Sequence, residues 1–127
     1  MTIKKFVAGS MFSMLLGSEM AAADWGDVYY CQQTNSLGIT LGGEMTRYKP
    51  EKFQFKLDQT KNAMVYGSTG YFEDTVQELT KGLNWPDIER WYSSDQYSVT
   101  HFSEGKFLYT FNSSEGMVVF SADCDKF

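Results

Sequence analysis

The clearest pattern along the chain is an alternation of apolar and polar residues with a period of two. It is cleanest between Glu51 and Asp58, where the apolar positions are Phe53, Phe55 and Leu57 and the positions between them are charged or amide side chains. A period of two is typical of a β-strand with one buried and one solvated face. The same alternation, less regular, predicts further strands at 28–33, 63–66, 97–102, 106–111 and 117–122.

The last three predicted strands are separated by short turns that contain glycine, at residues 103–105 and 112–116. Such turns suit antiparallel hairpins, so the C-terminal third is predicted to be a three-stranded meander. In residues 117–120 both parities are apolar. This strand is therefore expected to be covered on both faces or to lie in the middle of a closed sheet.

The segment between the N-terminal and C-terminal strands is less regular. Residues 70–82 fit a helix, since Phe72, Val76 and Leu79 have helical spacing, and fit an edge strand over 75–80 equally well. We favour the strand. Residues 84–87 are predicted to form a turn, because Pro86 can continue neither a helix nor a strand ladder. Seven or eight short strands in one domain predict an all-β fold, a small antiparallel barrel or sandwich.

The N-terminus has the layout of a secretory signal peptide. Lys4 and Lys5 precede an uncharged apolar run of about 13 residues, which is shorter than the roughly 20 that a membrane span needs. Three alanines end at Ala23, which predicts cleavage before Asp24. Residues 1–23 are therefore interpreted as the signal peptide and residues 24–127 as a single exported β domain, periplasmic or extracellular. The alternative is a retained N-terminal anchor helix.

The composition indicates a packed, acidic domain. The chain has a net charge of −5, and removal of residues 1–23 leaves 9 basic and 15 acidic residues, a net charge of −6. This balance argues against nucleic acid and anionic membranes as partners. Phe, Tyr and Trp account for 19 of the 104 residues after the predicted cleavage site, a content that favours an ordered aromatic core.

The chain has two cysteines, Cys31 and Cys124, near opposite ends of the predicted mature domain. In an oxidising compartment two such thiols are expected to form a disulfide. The bond would join the first strand to the end of the last, as expected where these strands are neighbours in a closing sheet. A metal site or a catalytic thiol is the alternative, although His101 is the only histidine that could complete either one.

The sequence predicts no catalytic residue, metal site or cofactor. His101 lies in no recognisable nucleophile or metal-binding motif, and we expect it to pack or hydrogen-bond structurally. Asp123 and Asp125 point to the same side of an extended chain, but a calcium site needs six to eight oxygen ligands. The protein is therefore predicted to be non-catalytic.

One aromatic cluster is a candidate binding surface for a sugar, a small amphiphile or a protein, because its amphipathic rings lie among hydrogen-bonding side chains. Its members are Trp85, Trp91, Tyr92 and Tyr97. The alternative is that these rings cap one end of a small barrel. On the first interpretation the protein binds an unknown small amphipathic ligand or a protein partner.

Three strings resemble those of short exported bacterial β proteins with no assigned function: residues 29–31 (YYC), 50–56 (PEKFQFK) and 122–125 (ADCD). A more distant likeness, of architecture only, is to the small disulfide-closed β-barrels of bacterial lysozyme inhibitors. Those proteins have an inhibitory loop, which residues 68–71 of this chain resemble weakly. These likenesses imply export without an activity. The expected function is an exported binding protein; the alternatives are an envelope or surface structural component, or an inhibitor of a wall-degrading enzyme.

Overall fold

The computed structural model describes residues 22–80 and 90–127, and in this part of the chain every regular element is a β-strand. No described segment is a helix long and apolar enough to cross a membrane. The strands are all paired antiparallel and are β1 (Val28–Thr40), β2 (Met45–Arg47), β3 (Lys52–Asp58), β4 (Ala63–Tyr66), β5 (Val76–Glu78), β6 (Trp91–Ser94), β7 (Ser98–Ser103), β8 (Lys106–Ser113) and β9 (Gly116–Lys126).

Eight of these strands form one nearly closed barrel in the order β5-β4-β3-β1-β9-β8-β7-β6, and β2 pairs with β1 outside this path. The two ends of the sheet, β5 and β6, meet through a few hydrogen bonds. The backbone N–H of Thr80 donates to the carbonyl of Tyr92 at 2.8 Å, and Ser93 Oγ donates to the carbonyl of Glu78 at 2.7 Å. The predicted all-β fold is confirmed, and of the two predicted architectures the chain adopts the barrel.

Most predicted strands are confirmed. The meander of β7, β8 and β9 is formed as expected, and β9 lies in the interior of the sheet between β1 and β8. Its outer face is not covered, however, since Met117 is 42% exposed. In the ambiguous segment the described residues form strand β5 rather than a helix. The turn predicted at 84–87 lies outside the described residues.

The sequence pattern predicts that the first strand ends at residue 33, but in the structure β1 continues to Thr40. The reason is a β-bulge between Gln33 and Asn35, which reverses the parity of the residues that follow. Before the bulge the buried residues are odd-numbered, as Tyr29 and Cys31 show. After the bulge the even-numbered Ser36 is buried. An alternation that changes parity in mid-strand cannot be followed as one period-two pattern.

The barrel interior is filled by aromatic rings. Tyr29 and Phe55 stack with ring centroids 5.5 Å apart, and Phe55 meets Phe102 edge-on at 5.1 Å. Phe107 and Phe120, on neighbouring strands, lie parallel at 5.9 Å. All five side chains are at most 2% exposed. The inward positions of β1, β3, β7, β8 and β9 therefore form one continuous core.

The predicted disulfide between Cys31 and Cys124 is present. The two residues are direct cross-strand partners on β1 and β9, and both are buried. The bond thus joins the first strand to the last where they pair, as expected from the sequence.

Candidate functional site

The three described members of the predicted aromatic cluster do not share one surface. Trp91 and Tyr92 are consecutive residues of β6, so their side chains point to opposite faces of the sheet. Tyr97 lies in the turn between β6 and β7, at the other end of that hairpin from Trp91. Trp85 lies outside the described residues.

Trp91 is half-buried and faces the barrel interior. Its cross-strand partner is the fully buried Phe102, and its ring meets Trp25 edge-on at 4.9 Å. The indole Nε1 is buried and has no hydrogen-bond partner among the described residues. Trp91 therefore packs against the core.

Tyr92 faces outward and packs against His101, its cross-strand partner, with ring centroids 4.8 Å apart. Partial burial, and in second place the positive charge of Arg90, lowers the pKa of His101 below its usual 6.5. Both effects favour the neutral imidazole over the imidazolium.

Tyr97 is different, since it is 55% exposed and lines a groove of about 390 Å³ at one end of the barrel. We call this the end groove. It is bounded by the 71–77 segment on one side, by the β6–β7 turn on the other and by β8 between them, and its lining residues are Tyr71, Phe72, Thr75, Val76, Gln77, Asp95, Tyr97, Ser98, Tyr109 and Phe111.

The segment before β5 is shaped by Gly70. Its φ is +97°, and a Cβ atom at this position would overlap the carbonyl oxygen of Lys52. The next residue, Tyr71, donates its N–H to that same carbonyl at 3.1 Å. Glycine thus allows the loop to approach β3 closely and to turn back over the end of the barrel.

Phe72, the next residue but one, fills the end of the barrel, and we call it the plug. Its ring lies 4.4 Å from that of Tyr66 and meets Tyr109 edge-on at 4.9 Å, and the side chain is 5% exposed. Tyr71 remains half-buried beside it, with its ring 6.2 Å from that of Tyr109. The plug closes this end of the barrel and leaves the two tyrosine rings on the wall of the end groove.

The polar groups of the end groove are Gln77 and Asp95. Gln77 is 8% exposed, and its Oε1 accepts a hydrogen bond from the hydroxyl of Tyr66 at 2.8 Å. A carboxamide that accepts through oxygen has its NH₂ group left as a donor. Asp95 Oδ1 accepts from the backbone N–H groups of Tyr97 at 2.8 Å and Ser98 at 2.9 Å, and these bonds lower the pKa of Asp95.

Two tyrosines of the groove wall resist ionisation. Burial is the largest cause that raises the pKa of Tyr71 and of Tyr109 above 10.0. Both hydroxyls therefore stay protonated at neutral pH and are able to donate hydrogen bonds. The end groove combines aromatic faces with a small number of hydrogen-bonding groups, which is the usual chemistry of a small-molecule site.

Sequence reasoning identified Tyr97 but missed Tyr71, Gln77 and Tyr109. Tyr109 lies in the strand predicted at 106–111, and nothing in the local pattern brings that strand close to residues 71–77. Residues 68–71, which weakly resemble an inhibitory loop, lie at the end of the barrel. Ser68, Thr69 and Gly70 are exposed there.

Metal chemistry has no evident centre in the described ranges, where no three His, Cys, Asp or Glu side chains come together as ligands would. Asp123, considered above with Asp125 for calcium, instead accepts a hydrogen bond from Lys106 Nζ at 2.8 Å. The function has to be argued from the grooves themselves, because comparison with known proteins finds no matching family model, curated protein or solved structure.

Proposed function

We propose that this protein is an exported, non-catalytic binding protein, and that its end groove takes a small amphipathic ligand with a planar ring. The observation that carries the proposal is the convergence of Tyr71, Tyr97 and Tyr109 around one groove with the buried amide of Gln77 in its lining. Aromatic faces supply stacking area, and the amide supplies an oriented hydrogen-bond donor.

The filled core supports a ligand on the barrel end rather than in the lumen. The plug residue Phe72 contacts Phe53, Tyr66 and Phe120, whose rings occupy the space beneath it. A ligand in the end groove would therefore rest on a rigid aromatic floor. Such a preformed site loses little conformational entropy when it binds.

Export is supported by the disulfide and by the contacts of the predicted new N-terminus. Disulfides persist in oxidising compartments. The backbone N–H of Asp24 donates to Asp27 Oδ2 at 2.8 Å, and this carboxylate also pairs with Lys126 Nζ at 3.2 Å. Cleavage before Asp24 would place a positive α-amino group beside Asp27, an arrangement that favours the cleaved chain.

The test is an NMR titration of the 24–127 domain with 4-nitrophenyl β-D-glucopyranoside, which has a planar ring and a polar body. Methyl β-D-glucopyranoside, which lacks the ring, is the matched probe. We expect shifts of the backbone amides at 71–77 and 95–98 with the aryl glucoside and none with the methyl glucoside.

The variant Tyr97→Ala removes one exposed ring and no core contact. We expect it to weaken aryl glucoside binding about two- to tenfold, since one aromatic contact contributes about 0.5–1.5 kcal/mol. Tyr30→Ala, at a 44% exposed tyrosine outside the groove, is the control and should leave the affinity unchanged. Equal effects of the two variants, or shifts spread over the whole surface, would contradict the proposal.

One feature favours the second candidate, an envelope or surface structural component. Met45, Ile39 and Met117 lie opposite one another across β2, β1 and β9, and they are 62%, 49% and 42% exposed. An apolar row of this kind suits a protein contact. Stable co-purification of the wild-type chain with one abundant envelope component, abolished in Ile39→Asp and retained in Tyr97→Ala, would support this candidate over the first.

A further inference from the structure

A second groove, of about 580 Å³, lies on the outside of the barrel beside β1 and β3. We call it the outer groove. Its volume is in the range that small ligands usually occupy. Among the described residues it shares no lining residue with the end groove. It is lined by Tyr30, Gln32, Pro50, Glu51, Lys52, Phe53, Gln54, Thr69 and Gly70.

The register of the barrel assembles the floor of the outer groove. Tyr30 on β1 lies opposite Gln54 on β3, and in the next row Gln32 lies opposite Lys52. Residues two positions apart on a strand share a face, so these four side chains belong to one outer surface. Tyr30 is 44% exposed, and its ring meets that of Phe127 edge-on at 5.3 Å. The floor therefore combines an exposed aromatic ring with two carboxamides and an ammonium group.

The segment after β4 forms the wall of the outer groove. Gly67 donates its backbone N–H to the carbonyl of Gln54 at 3.1 Å, so this segment lies directly beside β3. A Cβ atom at Gly67 would lie 2.7 Å from both Cγ and Nε2 of Gln54. The absence of a side chain at Gly67 therefore makes room for the carboxamide of Gln54 at the wall of the groove.

The carboxamides of the outer groove can recognise a polar ligand. The side chain of Gln54 makes no hydrogen bond within the described part of the chain, so its NH₂ group can donate and its oxygen can accept. Gln32 Nε2 donates to the backbone carbonyl of Gln33 at 3.2 Å, which leaves Oε1 of Gln32 as an acceptor. An amide group on the ligand would satisfy the donor and the acceptor of Gln54 together.

The charges of the outer groove favour a neutral ligand. Among its described lining residues, Lys52 is the one cation and Glu51 the one anion, so the lining carries no net charge. The whole chain, by contrast, carries a net −5. An ion of either sign would meet a like charge in the groove, whereas a neutral polar molecule could bond to both groups.

The backbone around the outer groove argues against a peptide that adds to the sheet. At residues 30–32, β1 is paired with β3 on one side and with β9 on the other. The other edge of β3 is occupied as well, because the N–H groups of Gly67 and Tyr71 donate to the carbonyls of Gln54 and Lys52. A ligand would therefore be recognised by side chains rather than by strand pairing.

We propose that the outer groove binds a neutral sugar chain that carries acetamido groups. A sugar ring would stack on Tyr30, and its acetamido group would exchange two hydrogen bonds with the carboxamide of Gln54. A tyrosine offers an apolar ring and a polar hydroxyl, a combination that suits a polyhydroxylated ring. The site is additional to the end groove and does not depend on it.

The experiment is an NMR titration of the 24–127 domain with N,N′-diacetylchitobiose. Cellobiose is the matched probe, because it has the same rings and linkage with hydroxyl groups in place of the acetamido groups. We expect diacetylchitobiose to shift the backbone amides at 30–32, 52–54 and 69–70. Cellobiose should bind about tenfold more weakly, because it cannot form the two hydrogen bonds to Gln54.

Gln54→Leu should weaken diacetylchitobiose binding about tenfold for the same reason, since it keeps the bulk of the side chain and removes its amide. The matched control is Gln59→Leu, which removes an exposed carboxamide in the turn between β3 and β4. It should leave the affinity unchanged. Urea unfolding of both variants establishes that they fold.

Gly67 supplies a second test that leaves every groove side chain in place. Its φ lies outside the left-handed region, so alanine is not strained there, but the new methyl group would push the carboxamide of Gln54 aside. Gly67→Ala should weaken diacetylchitobiose binding about two- to tenfold through this displacement. Gly42→Ala is the matched control, because a Cβ at Gly42 would meet only Thr40 Oγ1, at 3.8 Å.

The proposal is overturned if diacetylchitobiose leaves the amides at 30–32 and 52–54 unmoved, or if cellobiose binds as tightly. Equal affinities of Gln54→Leu and Gln59→Leu, or of Gly67→Ala and Gly42→Ala, would also overturn it. Tyr97→Ala should leave diacetylchitobiose binding unchanged, so failure at the outer groove is distinguishable from failure at the end groove.

Discussion

Cys31 and Cys124 lie directly opposite each other on β1 and β9, with Cα atoms 4.0 Å apart and a sequence separation of 93. The disulfide therefore closes a loop that contains almost the whole barrel. We expect Cys31→Ser/Cys124→Ser to lower the free energy of unfolding by about 4 to 5 kcal/mol in the chain-entropy model. Urea unfolding of the double variant and the wild type measures this difference, and equal midpoints would contradict it.

Phe72 contributes to stability as the plug of the barrel end. Phe72→Ala should lower the free energy of unfolding by about 3–5 kcal/mol, because it leaves a cavity among aromatic rings. Phe127→Ala is the matched control, since Phe127 is 87% exposed, and it should change stability by about 0.5 kcal/mol or less. Urea unfolding measures both, and similar losses in the two variants would argue against a plug.

Gly70 and Gly43 both have positive φ, +97° and +90°. Alanine at either position is strained by about 1–2 kcal/mol. Only at Gly70 would the new methyl group meet the backbone of Lys52; at Gly43 no atom lies within 4 Å. We expect Gly70→Ala to destabilise the protein measurably more than Gly43→Ala in thermal unfolding, whereas equal shifts would show that steric overlap has no part.

The buried Tyr66 should make the free energy of unfolding fall at alkaline pH. Burial, and in second place Tyr109, raises the pKa of Tyr66 well above the 10.0 of a free tyrosine. Above pH 10 the unfolded chain loses a proton that the folded chain keeps. Stability is therefore fully present below pH 10 and falls as pH rises towards the folded pKa.

Urea unfolding at about pH 8 and about pH 11 measures this loss, which Tyr66→Phe should reduce. At the lower pH the variant should be less stable by about 0.5–1.5 kcal/mol, because the bond to Gln77 is lost. Tyr71 and Tyr109 have raised pKa values as well, so part of the alkaline loss should remain. An unchanged pH dependence would contradict the role of Tyr66.

The strands that could be predicted are those whose pattern is local and unbroken. β3 alternates cleanly, and β7 to β9 are joined by tight glycine turns. β2 was not predicted because its three residues are all exposed and leave no alternation to detect. β6 was missed because its inward residues 91 and 93 are an aromatic and a serine, so the segment resembled a polar aromatic loop.

The candidate sites were less predictable. Tyr97 was identified by its type and its polar neighbours, but the separation of Trp91 from Tyr92 depends on their lying in a strand. The end groove joins residues near 71–77 to others near 95–98 and 109, and no short-range signal records that proximity.

By itself the sequence determined the all-β class, the disulfide between Cys31 and Cys124 and most strand positions, because alternation, turn chemistry and cysteine number are properties of neighbouring residues or of composition. Only the tertiary structure decided that the sheet curves into a barrel, that Phe72 plugs its end and that Tyr71, Tyr97 and Tyr109 share one groove. These features depend on strand order, the bulge after Gln33 and the twist of the sheet, which bring distant residues together through packing rather than through local preference.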